Sequence, residues 1–185
     1  ASLSLRRLRE AGVLVAATPA GPDTAWARAL GLETLPQIAR VQAAAALNGH
    51  ERFPCLEDAA YQEQWRAQLR QAATQPAHAA SATVSLGPRN SLIDSDEEVC
   101  HAPPTVAAFQ QALRTRYATL HKLNETWGAG YRTWGAVQPL TLAFAQEAQA
   151  YAPWVDFRRF MEQSFTVHHA TGADILADAH QQGAH

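Results

Sequence analysis

The sequence predicts an α/β fold that is rich in helices and has few parallel strands. Leu3, Leu5 and Leu8 recur on one face of a first helix, which leads into "AGVLVAAT", an apolar run of strand length. A second run, "SATVSLG", predicts a strand from Ala82 to Gly87 after a long helical segment. Helices that deliver the chain to fully buried strands are typical of a parallel sheet.

Length and charge limit the class of protein. With 185 residues, we expect a single domain across residues 1–185, or a segment of a larger domain. The net charge of -2 offers no basic surface, so nucleic acid and anionic membranes are poor partners. No apolar run approaches the roughly 18 residues of a membrane span. Arg6 and Arg7 interrupt any signal-peptide core, and the first residue is not Met. We therefore expect a soluble cytoplasmic protein, present here as a segment or a processed product.

The first half of the chain contains one clear helix boundary and one ambiguous stretch. Asp23 or Thr24 can cap a helix in "TAWARALGL", where Trp26 and Leu30, four residues apart, are predicted to pack in the core. The stretch from Ile38 to Val41 fits a short strand or a helix equally well.

The next segment is predicted to be a loop followed by a long helix. The Asn-Gly and Pro of "NGHERFPCLED" indicate a loop. Asp58 then begins a helix in which Tyr61, Trp65 and Leu69 recur every four residues.

Two further helices are predicted in the second half. One opens at Pro103, and the other runs from about Pro153 towards Ala179. The glycine-rich segment between them is predicted to consist of short turns anchored by Trp127 and Trp134.

Candidate metal and cofactor sites are weak. Cys55 and Cys100 lack C-x-x-C spacing, so we expect two free buried thiols and no metal. His168 and His169 would point about 100° apart on a helix, and we expect both to be solvated near a frayed terminus. No P-loop and no G-x-S-x-G elbow is present, so we expect no cofactor.

Two segments contain an ordered set of characteristic residues. They are "PPTVAAFQQALRTRYATLHKLNETWGAGYRTWGAVQPLT" and "APWVDFRRFMEQSF". The matching positions are Pro104, Phe109, Leu113, Tyr117, Leu120, Leu123, Asn124, Trp127, Gly128, Tyr131, Trp134, Asp156, Arg158, Phe160 and Met161. In this order they resemble the segment that follows the acid/base strand in glycoside hydrolase family 42 β-galactosidases. The stretch from "AGVLVAATP" through "FPCLEDAAYQEQW" resembles the family more loosely, so the resemblance covers most of the chain.

The resemblance implies part of a TIM-type (β/α)8 barrel, with the active site at the C-terminal ends of the strands. Such retaining enzymes hydrolyse terminal galactosides with two carboxylates about 5 to 5.5 Å apart, one acting as acid/base and one as nucleophile. The family's nucleophile follows the seventh strand, whereas this sequence offers two good strands and one doubtful one. We therefore expect the chain to be a segment from the middle of a barrel.

The resemblance also locates the acid/base position. In the family its glutamate stands in a context like "SLGDE.SL", which falls here on "SLGPRNSL" and places Arg89 on the glutamate. A guanidinium with a pKa above about 12 cannot donate the proton. The alternative assigns the acid/base role to Glu97 or Glu98, which otherwise belong to a solvated acidic loop.

Two functions stay open at this point. One is a β-galactosidase-like hydrolase, incomplete or catalytically degenerate, with Asn90, Trp127 and Trp134 as candidate sugar-binding residues. For the two tryptophan rings, together with Tyr131, we prefer the role of anchoring an irregular connection against the barrel wall. The other is a non-catalytic binding or structural subunit derived from a glycosidase barrel. In that case the remaining barrel, a protein partner or a second copy would cover the open sheet edges.

Overall fold

The computed structural model describes residues 2–19, 22–37, 46–74, 85–86, 91–92 and 98–182. The helices are α1 (Ser2–Glu10), α2 (Pro22–Ala29), α3 (Ala59–Ala73), α4 (Pro103–Tyr117), α5 (Leu120–Trp127), α6 (Leu142–Glu147) and α7 (Tyr151–Gln182), and a 3-10 turn spans Trp134–Ala136. The strands are β1 (Val15–Pro19), β2 (Glu33–Gln37), β3 (Ala46–Asn48) and β4 (Glu51–Phe53). None of the described helices combines the length and the apolar character that crossing a membrane requires.

The chain divides into two compact units. The first comprises residues 1–42, 63–90 and 169–185, and the second comprises residues 43–62 and 91–168. The prediction of one domain, or of a segment of one, stays a prediction.

The first unit contains a β-α-β arrangement. β1 and β2 pair in parallel, from Val15 opposite Glu33 to Pro19 opposite Gln37, with α2 between them in sequence. This confirms the predicted first strand and its parallel partner type. The prediction that the strand is fully buried is wrong at its start, because Leu14 and Val15 are exposed beside a described sheet of only two strands.

The helix after β1 turns a different residue inward than predicted. Ala27 is fully buried and packs with Ala16 and Leu32, whereas the Trp26 side chain is 55% exposed. Successive helical residues point about 100° apart, so only one of the two can face this small core. The prediction that Trp26 packs in the core is therefore wrong.

The predicted loop at "NGHERFPCLED" begins as a β-hairpin. β3 and β4 pair antiparallel, with Asn48 opposite Glu51, so Gly49 and His50 form a two-residue turn. Gly49 occupies the first turn position with a φ of +59°, which favours glycine, and glycine at that position is typical of two-residue hairpin turns. The loop prediction is therefore wrong for these residues. The sequence did not reveal the strands because each is only three residues long and contains polar residues.

The long helices follow the prediction. α3 begins where Asp58 caps it, since the Asp58 Oδ1 atom accepts a hydrogen bond from Tyr61 N at 2.7 Å. α4 begins at Pro103, and α7 extends slightly beyond both predicted ends. The prediction of short turns is wrong at 120–127, where α5 is capped by Thr119 and ends at Gly128 with a φ of +64°.

Aromatic residues from α4 and α7 build the core of the second unit. Phe109 is fully buried, and its ring centroid lies 5.2 Å from that of Phe157 and 5.5 Å from that of Phe160. This core holds α4, α5 and α7 together and so positions the polar residues described below. The candidate strand around Ile38 to Val41, and all but Ser85 and Leu86 of the one from Ala82 to Gly87, lie outside the described residues.

Candidate active site

Glu98, one of the two candidate acid/base residues, binds the first turn of α6. Its Oε2 atom accepts a hydrogen bond from Leu142 N at 2.5 Å, and its Oε1 atom accepts one from Trp154 Nε1. Leu142 N is one of the backbone donors that a helix cannot satisfy internally at its start. Glu98 therefore acts as a helix cap that fastens the segment before α4 to α6 and α7.

Two histidines lie beside Glu98. The Nδ1 atom of His50 lies 3.2 Å from the Glu98 carbonyl oxygen, and the His50 ring centroid lies 5.0 Å from that of His101. The edge of the His101 ring meets Phe157 at a centroid distance of 5.2 Å. The Nε2 atom of His101 is buried and has no hydrogen-bond partner among the described residues.

Burial controls the charge of His101. Desolvation lowers the pKa of His101, and the nearby His50 lowers it further, while Glu98 acts weakly in the opposite direction. The imidazole of His101 is therefore neutral around pH 7 and suited to a packed position.

A buried carboxylate connects three helices of the second unit. The Asp156 Oδ2 atom in α7 accepts hydrogen bonds from Tyr117 OH at 2.5 Å and Trp127 Nε1 at 3.0 Å, at the ends of α4 and α5. Arg116 Nε and Arg159 Nη1 lie 3.6 and 3.8 Å from the other oxygen, Oδ1. Desolvation and the hydrogen bond to Asp156 raise the pKa of Tyr117, so the phenol stays protonated and donates.

The two tryptophans predicted to contact a sugar lie in different surroundings. Trp127 is 6% exposed, donates to Asp156 and meets Tyr117 and Tyr131 edge-on, which is a packing position. Trp134 is half-buried and carries the Arg114 guanidinium 5.7 Å from its ring centroid. Arg89, Asn90 and Glu97 lie outside the described residues. The roles predicted for all of these residues, and for Glu98, stay predictions.

The other predicted polar residues are structural where they are described. Cys55 and Cys100 are free and buried, as predicted. The prediction that His168 is solvated is wrong, because it is buried and its ring stacks on Tyr61 at 6.3 Å. Within the described ranges, no group of three or more His, Cys, Asp or Glu side chains is arranged to hold a metal ion.

One family model covers nearly the whole chain. The model of glycoside hydrolase family 42, described as β-galactosidase, matches residues 4–183. The chain belongs to glycoside hydrolase family 42. No curated protein matches it.

Solved structures share the fold of this family 42 chain at low sequence identity. A cold-adapted β-galactosidase from Rahnella sp. R3 is 19% identical with a TM-score of 0.68, over 95% of this chain and 31% of that one. A β-galactosidase from the psychrophilic Marinomonas ef1 is 16% identical with a TM-score of 0.71, over 96% of this chain and 33% of that one. The catalytic domain of β-amylase from Paenibacillus polymyxa is 15% identical with a TM-score of 0.70, over 96% of this chain and 59% of that one.

These likenesses confirm the predicted fold class, a helix-rich partial TIM-barrel-like segment. The chain spans about a third of the length of the two β-galactosidases.

The polar contacts of this family 42 chain were missed at the sequence level for different reasons. Asp156 was matched only as a family position, although an Asp between Trp154 and Phe157 on an apolar helix face indicates a buried carboxylate that needs donors. No local signal pairs His50 with His101, because the contact joins residues far apart in sequence.

Replacing Asp156 with Asn should destabilise the protein strongly. An amide has one acceptor oxygen instead of two, so it cannot accept from Tyr117, Trp127 and both arginines. Because buried donors then lose their partners, we expect the free energy of unfolding to fall by about 3 kcal/mol. Urea denaturation of Asp156→Asn measures it. Asp174→Asn, an exposed carboxylate on the same helix, is the control and should change stability by less than about 0.5 kcal/mol. Equal effects of the two substitutions would contradict the network.

His101 should make stability depend on pH in the acid range. Its folded pKa lies below the unfolded value of about 6.5, so the unfolded chain binds the proton more readily. The contribution is therefore complete above about pH 6.5 and is lost as pH falls through the folded pKa. We expect His101→Gln to flatten this loss in melts recorded between about pH 7 and pH 5.

His121, whose side chain is 82% exposed, provides the comparison variant, His121→Gln. An unchanged acid slope in His101→Gln, or an equal flattening in both variants, would show that His101 is not the group responsible.

Proposed function

We propose that this chain forms part of a β-galactosidase-like barrel that binds carbohydrate. We propose also that it has lost acid catalysis, because it lacks a carboxylate where the family has its acid/base glutamate. In relatives the acid/base glutamate stands where "SLGPRNSL" carries Arg89. Arginine remains charged at any pH at which the protein is folded, so it cannot protonate a leaving group. It can still donate hydrogen bonds to a sugar oxygen.

The observation that carries the proposal is the environment of Glu98. Both oxygens of its carboxylate accept hydrogen bonds from N–H groups, Leu142 N and Trp154 Nε1. A general acid must hold a proton on one oxygen and present it to the glycosidic oxygen. Hydrogen bonds from two N–H groups orient this carboxylate towards α6 and α7, which supports a capping role for Glu98 and leaves Glu97 as the remaining candidate.

The ligand and the compartment are further parts of the proposal. We assign sugar contacts to Asn90 and Trp134, and to Trp127 only through its support of the neighbouring segment. The ring of Trp134 is only partly buried, which supports its role because aromatic faces suit the apolar face of a sugar. The free thiols of Cys55 and Cys100 support a cytoplasmic location, since secreted proteins more often carry disulfides.

A role as a binding or structural subunit is the second candidate. Leu142, Phe144, Tyr151 and Val155 are exposed on α6 and the first turns of α7 in the second unit. Neighbouring apolar side chains of this size are typical of surfaces that another chain covers. The remaining barrel, a protein partner or a second copy would fit there.

Hydrolysis and binding of a galactoside separate these possibilities. For the protein as its natural source produces it, we expect galactose to bind in calorimetry. We expect turnover of p-nitrophenyl β-galactoside to be at least about 100-fold below that of an enzyme that retains its acid. Glu97→Gln and Glu98→Gln should leave this residual turnover unchanged, and Glu98→Gln should lower the melting temperature through the lost cap.

Glu125→Gln, an exposed residue on α5, is the matched control. Efficient turnover that Glu97→Gln or Glu98→Gln abolishes, and Glu125→Gln does not, would overturn the proposed loss of acid catalysis. Absence of both binding and turnover would favour the structural subunit.

A further inference from the structure

The two buried thiols of the second unit lie in one core cluster. Cys55 is 8% exposed and Cys100 is fully buried, and both are free. Arg52 connects their surroundings, because its backbone N–H donates to the Cys100 Sγ atom at 3.3 Å and its Nη1 atom donates to Pro54 O, next to Cys55 in the chain. The Cys55 Sγ atom also lies 3.1 Å from the hydroxyl oxygen of Thr105. The chain therefore brings together two cysteines that are remote in sequence into one dithiol.

The sulfur of Cys100 is surrounded by donors. Arg52 N donates to it at 3.3 Å, and the backbone of Ala102 and the hydroxyl of Thr105 also reach it. Cys100 comes just before α4, whose N-terminal end carries a partial positive charge. These contacts stabilise a thiolate, which is the nucleophilic form of cysteine.

Within the pair, the donors around Cys100 favour the thiolate on that residue. The hydrogen bond between the thiols lowers the pKa of Cys100, against the effect of burial, and raises the pKa of Cys55. Most buried cysteines are inert because burial raises the pKa of an isolated thiol. Cys100 differs because its neighbours offset that effect.

A buried guanidinium is the third component. Arg52 is fully buried, and its Nε atom donates to Leu92 O at 2.6 Å, while its Nη1 atom donates to Pro54 O. Burial lowers the pKa of Arg52, and Tyr61 and both cysteines counteract this effect. A positive charge near the sulfurs favours a thiolate over a neutral pair.

We propose that Cys55 and Cys100 are a redox-active dithiol that a small peroxide converts into an intramolecular disulfide. The inference does not rest on the proposed function, because it concerns different residues and a different reaction. Hydrogen peroxide is close in size to water, so a local opening of the core admits it to the sulfurs. The disulfide would join the segment after β4 to the segment before α4, two residues from Glu98.

The reaction balances in two steps. The Cys100 thiolate attacks one oxygen of hydrogen peroxide, so an S–O bond forms, the O–O bond breaks, and the released hydroxide takes up a proton to become water. Cys55 loses its proton and attacks the sulfur of the resulting sulfenic acid. The S–S bond forms, the S–O bond breaks, and a second water leaves. The thiols lose two electrons, and the peroxide gains them.

Peptide mapping of the full chain tests the proposal. The reduced, folded protein is treated with hydrogen peroxide, denatured, alkylated and digested with trypsin without reductant. Cleavage at the arginines gives peptides 53–66 and 90–114, each with one cysteine. We expect these two peptides linked, two hydrogen masses below their sum, and separated again by a reductant. We expect the link to form at least about tenfold faster in the folded chain than in urea, because the fold holds the thiols together.

Single substitutions assign the order of the steps. In Cys55→Ser, Cys100 should stop at a sulfenic acid that dimedone traps, whereas in Cys100→Ser the Cys55 thiol should remain free to alkylate. If either variant fails to fold, the linked peptide of the unsubstituted chain still decides. Full alkylation of both cysteines after peroxide would overturn the proposal. So would a link that forms no faster in the folded chain than in urea, or oxidation to sulfinic acid without a link.

Discussion

The buried carboxylate of Asp156 is the constraint on which the second unit depends. It lies on α7 and accepts from Tyr117 at the end of α4 and Trp127 at the end of α5, so one group fixes the relative positions of three helices. A buried carboxylate is costly unless donors compensate it, and Arg116 and Arg159 complete the compensation from the surface. Mispacking of any of these helices would leave the charge uncompensated, which makes the arrangement specific as well as stable.

Residues that stabilise the packing of helices differ from residues that carry out a reaction. Membership of a hydrolase family therefore does not by itself establish catalysis. The family 42 model matches residues 4–183, a range that includes buried residues which pack and orient helices, such as Phe109, Trp127 and Asp156. Acid catalysis depends instead on a carboxylate at one position after one strand, where we propose that this chain carries Arg89. A fold can keep its packing residues while the reactive group changes, because the two are under separate physical demands.

Sequence reasoning predicted the parts of the fold that depend on local patterns. The long helices α3, α4 and α7 have apolar residues at helical spacing and clear start signals, so their positions followed directly. β2 was missed because "ETLPQ" has no run of apolar residues, and α5 was missed because its glycine-rich flank suggested turns. The burial of Ala27 rather than Trp26 depends on which face the small sheet presents, which local spacing does not determine.

The polar contacts were less predictable than the helices. The hydrogen bonds of Glu98 to α6 and α7, and the pairing of Cys55 with Cys100, join residues that lie more than 40 positions apart. Their sequence neighbourhoods indicate only an acidic loop and isolated thiols. The resemblance to family 42 is the basis for the prediction that Arg89 occupies the acid/base position, a prediction that composition and periodicity could not supply.

A crystal structure of the protein from its natural source with a bound galactoside tests the loss of acid catalysis most directly. The quantity to measure is the distance from the glycosidic oxygen to the nearest carboxylate oxygen and to the guanidinium of Arg89. We expect the Arg89 guanidinium to lie within about 3.5 Å of the glycosidic oxygen. We expect no carboxylate within hydrogen-bonding distance of that oxygen on the side where the family's general acid would stand. The carboxylate of Glu97 or Glu98 within about 3 Å of the glycosidic oxygen would contradict it.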